Sequence, residues 1–215
     1  MRNERLIFEK TGRMRFISHL DINKYFIRLF RMADVPIWYT EGFSPHPYVS
    51  FALPLSLGFE SVYEIADLKI TDDAYTDEML TAALNKKAVP GIRIREAFEP
   101  VLKAKYVAWS QYRIVFDNEE DRDLFFDFLT SERVVADKTN KKGIVSSVDL
   151  TDNIKCPVKE DTDDGPSVGL CLPSGNDLSL NPTLCFDAFK KSSGRDPDKR
   201  IIRTLILDND MRPFR

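Results

Sequence analysis

Asp21-Ile22-Asn23-Lys24-Tyr25-Phe26-Ile27-Arg28-Leu29-Phe30-Arg31-Met32-Ala33 is the stretch on which the reading of the fold turns. Ile22, Tyr25, Phe26, Leu29, Phe30 and Ala33 recur at helical spacing, so one side of a helix over residues 21–33 packs into a core. Lys24, Arg28 and Arg31 fall on the opposite side and make it cationic. Upstream, residues 5–10 read as a strand. Downstream, Pro36 ends the helical pattern, residues 37–40 suit a short strand, and residues 48–53 are a further strand candidate. Residues 61–70 alternate, with Val62, Ala66, Leu68 and Ile70 on one face and Glu64 among them. A helix over 76–84 and a strand over 92–98 follow.

From Trp109 the order begins again. Residues 109–116 read as a strand, Leu124, Phe125, Phe128 and Leu129 as one helix face, and residues 134–138 and 144–150 as strands around a Lys141-Lys142-Gly143 turn. The acidic stretch 152–166 reads as a mobile loop, and 167–172 as a strand. Asn181 and Pro182 fit the N-cap and first position of a helix reaching residue 189, before a last strand over 200–207. Each half approximates β-α-β-β-α-β, the order of a ferredoxin-like split βαβ unit. The expected fold is therefore α+β: two tandem ferredoxin-like units with mainly antiparallel sheets, over residues 1–102 and 103–215.

With 43% hydrophobic and 30% charged residues, the 215-residue chain has ordinary globular composition. A net charge of −3 argues against a generic nucleic-acid coat, which needs surplus cations to neutralise phosphates. The cations are nevertheless concentrated early, at Arg13, Arg15, Lys24, Arg28 and Arg31. Cys156, Cys171 and Cys185 lack cluster or zinc spacing and read as thiols of a reducing compartment, so neither metal nor cofactor is expected. No run approaches the roughly 18 apolar residues of a membrane span. Met1-Arg2-Asn3-Glu4 leads into a strand-like run without a signal core, so a cytoplasmic protein with no membrane partner is expected.

Chemistry concentrates in two segments. Arg13-Met14-Arg15-Phe16-Ile17-Ser18-His19-Leu20-Asp21 sets two cations and an imidazole at a helix start, where free amides and the helix dipole favour an anion. The plainer alternative is a capping box between Ser18 and Asp21. Glu41-Gly42-Phe43-Ser44-Pro45-His46-Pro47 is turned by Gly42 and stiffened by prolines on both sides of His46. His19 and His46 are the chain's two histidines; they sit on separate elements, which gives no shared metal geometry with Asp21 or Glu41. Arg15, His19 and His46 are expected to converge on one pocket closed by the 41–47 loop. Glu64, on its apolar strand face, is a candidate partner for Arg15 or a histidine.

Arg15-Phe16-Ile17-Ser18-His19-Leu20-Asp21, Glu41-Gly42-Phe43-Ser44-Pro45-His46-Pro47 and Leu55-Ser56-Leu57-Gly58-Phe59-Glu60-Ser61 resemble, in order and spacing, the core motifs of the radical-SAM-linked protein family. The close likeness covers about the first 65 residues and extends weakly through residues 138–150 and 181–207. The resemblance implies an accessory domain that binds the substrate of a separately encoded radical SAM protein, the partner holding the cluster. RNA, a ribosomal component or an anionic small molecule would suit the cationic helix face together with Trp38, Tyr39, Phe43 and Tyr48. The alternative is a metal-independent RNA-processing enzyme using His19 or His46 as general acid or base.

Overall fold

The computed structural model describes residues 1–139 and 145–215. It divides into two units, Met1–Val107 with Pro213–Arg215, and Ala108–Arg212. The division falls five residues beyond the expected 102/103 boundary, because the C-terminus closes on the first unit and holds its last segment there. Leu102 N donates to Arg215 O at 2.8 Å, and Phe214 is fully buried with the Arg5 guanidinium 4.6 Å from its ring centroid.

The first unit runs β1 (Arg2–Lys10), α1 (His19–Met32), β2 (Val49–Phe51), β3 (Glu60–Ile70), α2 (Asp77–Lys87) and β4 (Ile92–Phe98). Its sheet has the order β4-β1-β3-β2, with every neighbouring pair antiparallel. The register places Leu6 opposite Ala66 and Phe8 opposite Glu64, and Phe51 also meets Ala66 from the other side. Leu6, Phe8, Ala66 and Leu68 thus form one face, which packs against Phe26, Leu29 and Phe30 of α1. Those three side chains are fully buried, worth roughly 1.5–3 kcal/mol each as an upper bound. Asp34, in the left-handed region at φ 52°, and Pro36 end the helix, as the proline predicted.

Residues 37–40 do not form the expected strand; they make isolated bridges, Ile37 to Ile70 and Tyr39 to Pro47. Thr40 N donates to His46 O and Tyr48 N to Trp38 O, so the segment folds back on the chain that follows it, and a ladder with β3 begins only at Val49.

The second unit runs β5 (Trp109–Phe116), α3 (Glu119–Leu129), β6 (Val135–Thr139), β7 (Val145–Asp149), β8 (Lys155–Thr162), β9 (Gly165–Pro173), α4 (Pro182–Ser193) and β10 (Lys199–Leu207). Its sheet has the antiparallel order β10-β5-β9-β8, and β6 and β7 pair separately. The Lys141-Lys142-Gly143 turn lies outside the described residues. Phe125 stacks on Phe186 with centroids 4.3 Å apart and meets Phe189 edge-on at 5.4 Å, the centre of this core. Asn181 caps α4 by accepting from Thr183 N at 3.0 Å.

The stretch 152–166, expected as a mobile loop, instead contains β8 and the start of β9. The strand was hidden because both its faces are largely polar: it borrows backbone hydrogen bonds from β9 and settles its charges on neighbouring cations. Glu160 meets Arg113 at 3.4 Å, Asp161 pairs with Arg122, and Asp164 meets Arg200 at 2.6 Å.

The α+β class with mainly antiparallel sheet is the one the chain adopts. Among the described residues no helix is long and apolar enough to cross a membrane.

Candidate functional site

A short 3-10 turn, Gly12–Phe16, carries the chain from β1 to the start of α1. Gly91 makes room for it: a Cβ there would lie 2.5 Å from Thr11 O, and its φ of +93° already favours glycine. Thr11 N donates back to Gly91 O at 2.8 Å. Ser18 Oγ then caps α1, accepting from Asp21 N at 3.2 Å and donating to Asp21 Oδ2 at 2.7 Å. The serine half of the capping box is therefore formed, with Asp21 answering the Ser18 hydroxyl, and the two residues are engaged with each other.

Arg15 is held by two partners. Its Nη1 lies 3.2 Å from Glu60 Oε1, and its Cζ sits 4.7 Å from the Phe16 ring centroid. Arg15 O also accepts from Gly58 N at 2.9 Å. The first and third sequence motifs are thus tied together by backbone and side chain. Glu60, not Glu64, is the carboxylate that Arg15 meets, since Glu60 opens β3 at the level of the 3-10 turn whereas Glu64 lies further along, opposite Phe8.

Glu64 instead shares a cavity with His19. The space is small, about 10 Å3, enough for roughly one water, and is walled by Phe8, Phe51 and Leu55. Lys10 lines it too, buried like Glu64, with Nζ donating to Ile17 O at 2.9 Å. Lys10 and Glu64 both have further partners, so the pair of opposite charges is an accommodated one. The half-buried His19 ring meets Phe51 edge-on at 5.5 Å.

The 40–47 segment is a closed loop. Thr40 N donates to His46 O at 2.9 Å, and His46 N donates to Thr40 Oγ1 at 3.3 Å. His46 Nδ1 lies 3.0 Å from Ser44 O and 3.2 Å from Thr40 Oγ1. A carbonyl oxygen only accepts, so Nδ1 carries a proton in this contact, which leaves Nε2 at the far side of the ring. The residue is exposed, as are Glu41, Phe43 and Ser44, and Phe43 projects wholly into solvent.

His46 and Arg15 do not line the His19 cavity. About five residues of near-extended chain separate His46 from Phe51, on which His19 packs, or roughly 16 Å at the rise of a strand. The expected single pocket therefore resolves into two places: the half-buried His19 beside buried Glu64 and Lys10, and a surface loop bearing His46. Pairing of Val49 with Leu68 and Phe51 with Ala66 runs the loop away along β3, a register that sequence spacing did not fix.

Lys24, Arg28 and Arg31 are exposed along α1, opposite Phe26 and Leu29. Lys24 Nζ lies 3.8 Å from Asp21 Oδ1. Arg31 reaches Tyr39, its Cζ 5.9 Å from the ring centroid, and Tyr39 bridges to Pro47. The cationic face thus ends at the base of the His46 loop. Lys10 and Glu60, partners the sequence reading passed over, carried a legible signal in one case: Lys10 follows Phe8 by two in a strand, the same misplaced charge that marked Glu64. Burial pushes the thiols of Cys171 and Cys185 up to about 11 and about 12, so both stay protonated near neutral pH; Cys156 is exposed.

These features define an α+β protein whose polar residues gather at the start of its first helix and on the loop that precedes β2. The chain belongs to the family described as "Uncharacterized protein conserved in bacteria (DUF2344)", whose profile matches residues 4–182. No curated protein matches it. Among solved structures, a chain of the "Crystal Structure of a Cbf5-Nop10-Gar1 Complex" is similar at 7% identity and a TM-score of 0.49, over 94% of this chain and 48% of that one. The chain thus spans about half the length of that neighbour.

Proposed function

We propose that this protein is an accessory substrate-binding module that presents RNA, or an RNA-bearing ribosomal component, to a separately encoded radical SAM enzyme in the cytoplasm. The enzyme partner follows from the motif resemblance. The binding surface rests on one observation, the continuity from Lys24, Arg28 and Arg31 through Tyr39 to the His46 loop. Three cations along one helix track phosphates, the protruding Phe43 offers a ring for an unstacked base, and His46 Nε2 offers a hydrogen-bonding atom for a base or sugar. Each unit reads further as a ferredoxin-like split βαβ, from the strand orders β4-β1-β3-β2 and β10-β5-β9-β8, with the β6–β7 hairpin inserted in the second.

Binding of single-stranded and hairpin RNA across a salt series tests the surface. Each of Lys24→Ala, Arg28→Ala and Arg31→Ala is expected to lower the salt slope by roughly 0.7 for single strands. Binding that is absent, or a slope that none of the three changes, rejects the RNA reading. Co-purification or crosslinking of a radical SAM protein from the native cell, with substrate present, tests the partnership, and its failure counts against that half of the proposal.

A second reading is favoured by the exposed His46 ring, oriented through Nδ1 by Ser44 O: metal-independent cleavage of an RNA phosphodiester, with the imidazole as general acid or base. Strand scission in the presence of a chelator, lost in His46→Ala, would establish it in place of the accessory role.

A further inference from the structure

The side of the first sheet away from α1 and α2 carries a second, larger cavity of about 400 Å3, within the range of small-ligand sites. Two rows of side chains form its floor. Arg5, Asp67 and Ser50 lie at one register position across β1, β3 and β2, and Asn3 and Lys69 at the next, with Tyr48 just before β2 beside them. The 100–104 segment, anchored by the Leu102 to Arg215 hydrogen bond, makes the opposite wall and contributes Lys103 and the exposed Val101.

The floor is built around a buried cation. Arg5 is fully buried, and its Nε and Nη2 donate to the two oxygens of Asp67 at 2.7 and 2.8 Å. Its Nη1 is buried without a hydrogen-bond acceptor, and the guanidinium lies against the Phe214 ring, its Cζ 4.6 Å from the centroid. The bidentate contact also fixes Asp67 as an oriented acceptor, because the arginine cannot give up its proton. Above it, Lys69 Nζ lies 4.7 Å from the Trp38 ring centroid and 5.6 Å from that of Tyr48.

From these groups we infer that the cavity is a binding site for a nucleoside monophosphate. Lys69 and Lys103, from facing walls, take the phosphate. Tyr48 offers a ring and Val101 an aliphatic side chain between which a base rests. The fixed Asp67 carboxylate accepts from the sugar hydroxyls or an exocyclic amine, with Arg5 as a positioning residue beneath it. The inference does not rest on the RNA surface of α1, whose residues are absent from this cavity.

Titration of the full chain with the four 5′-ribonucleoside monophosphates, ribose 5-phosphate and inorganic phosphate, followed by calorimetry, tests it. At least one nucleotide should bind saturably and about tenfold tighter than ribose 5-phosphate, the contribution of one stacked base. Lys69→Ala and Lys103→Ala, changes at half-buried and exposed positions that leave the core intact, should each weaken that binding about fivefold or more. His46→Ala and Arg28→Ala should leave it unchanged, which separates this site from the helix surface. No saturable nucleotide binding, binding of inorganic phosphate as tight as any nucleotide, indifference to both lysine changes, or weakening by His46→Ala would each overturn the inference.

Discussion

Arg15 illustrates how a residue singled out from sequence changes its meaning once its neighbours are known. It clasps Glu60, which is nearly buried, so Arg15→Ala strands a carboxylate and should cost about 1–2 kcal/mol, discounted for the partial exposure of the arginine. Adding Glu60→Gln should recover most of that loss, and urea unfolding of the single and double variants checks it. Glu4 gives a pH-dependent counterpart. Burial, with the charge of Asp77 added, raises its pKa above the ordinary carboxyl value, only partly offset by Arg2. The folded protein therefore holds this proton more tightly than the unfolded chain, and stability falls as pH rises from the ordinary carboxyl range through the raised folded value. Glu4→Gln should accordingly stabilise the protein at neutral pH, with the gain vanishing below about pH 4. A gain that persists in acid, or none at pH 7, contradicts this assignment.

At the scale of elements, Gly91 is the sharpest test of how the helix start is positioned. Gly91→Ala drives a Cβ into Thr11 O and should destabilise by roughly 2–4 kcal/mol. Gly58→Ala, at φ +86° but facing open space, should cost only about 1 kcal/mol, mostly backbone strain. Equal costs in thermal unfolding would mean that the close approach at Gly91 is relieved by movement. Most elements were legible because their signals were local. The apolar stripe of α1, the cap at Asn181 and the alternation in β3 each needed only a few neighbouring residues. β8 was not legible, since its faces are polar and the cations that settle its charges, Arg113 and Arg122, are distant in sequence, although its pairing partner β9 directly follows it. The segment 37–40 failed the other way: its local β-preference was real, but its backbone hydrogen bonds are split between Lys69 O and the 46–48 segment, so no continuous ladder forms.

For the whole molecule, the candidate residues could be named from sequence but not grouped. Arg15, His19 and His46 looked like one site because each was a polar residue in a motif; the pairing of β2 with β3 is what separates the His19–Glu64–Lys10 group from the exposed His46 loop. The cavity beside Arg5 was invisible for the same reason, since Asn3, Ser50, Asp67 and Lys69 become neighbours only through strand register. Register also creates the surface that joins α1 to the loop through Arg31 and Tyr39, the surface proposed to take the RNA. Ultraviolet crosslinking of the protein to bound RNA, with the attached residues located by mass spectrometry, maps where the RNA lies. Adducts are expected on Phe43 and Tyr39 and on peptides spanning residues 24–31, lost when Arg28 and Arg31 are both replaced by Ala; adducts confined to residues 108–212 would rule this surface out.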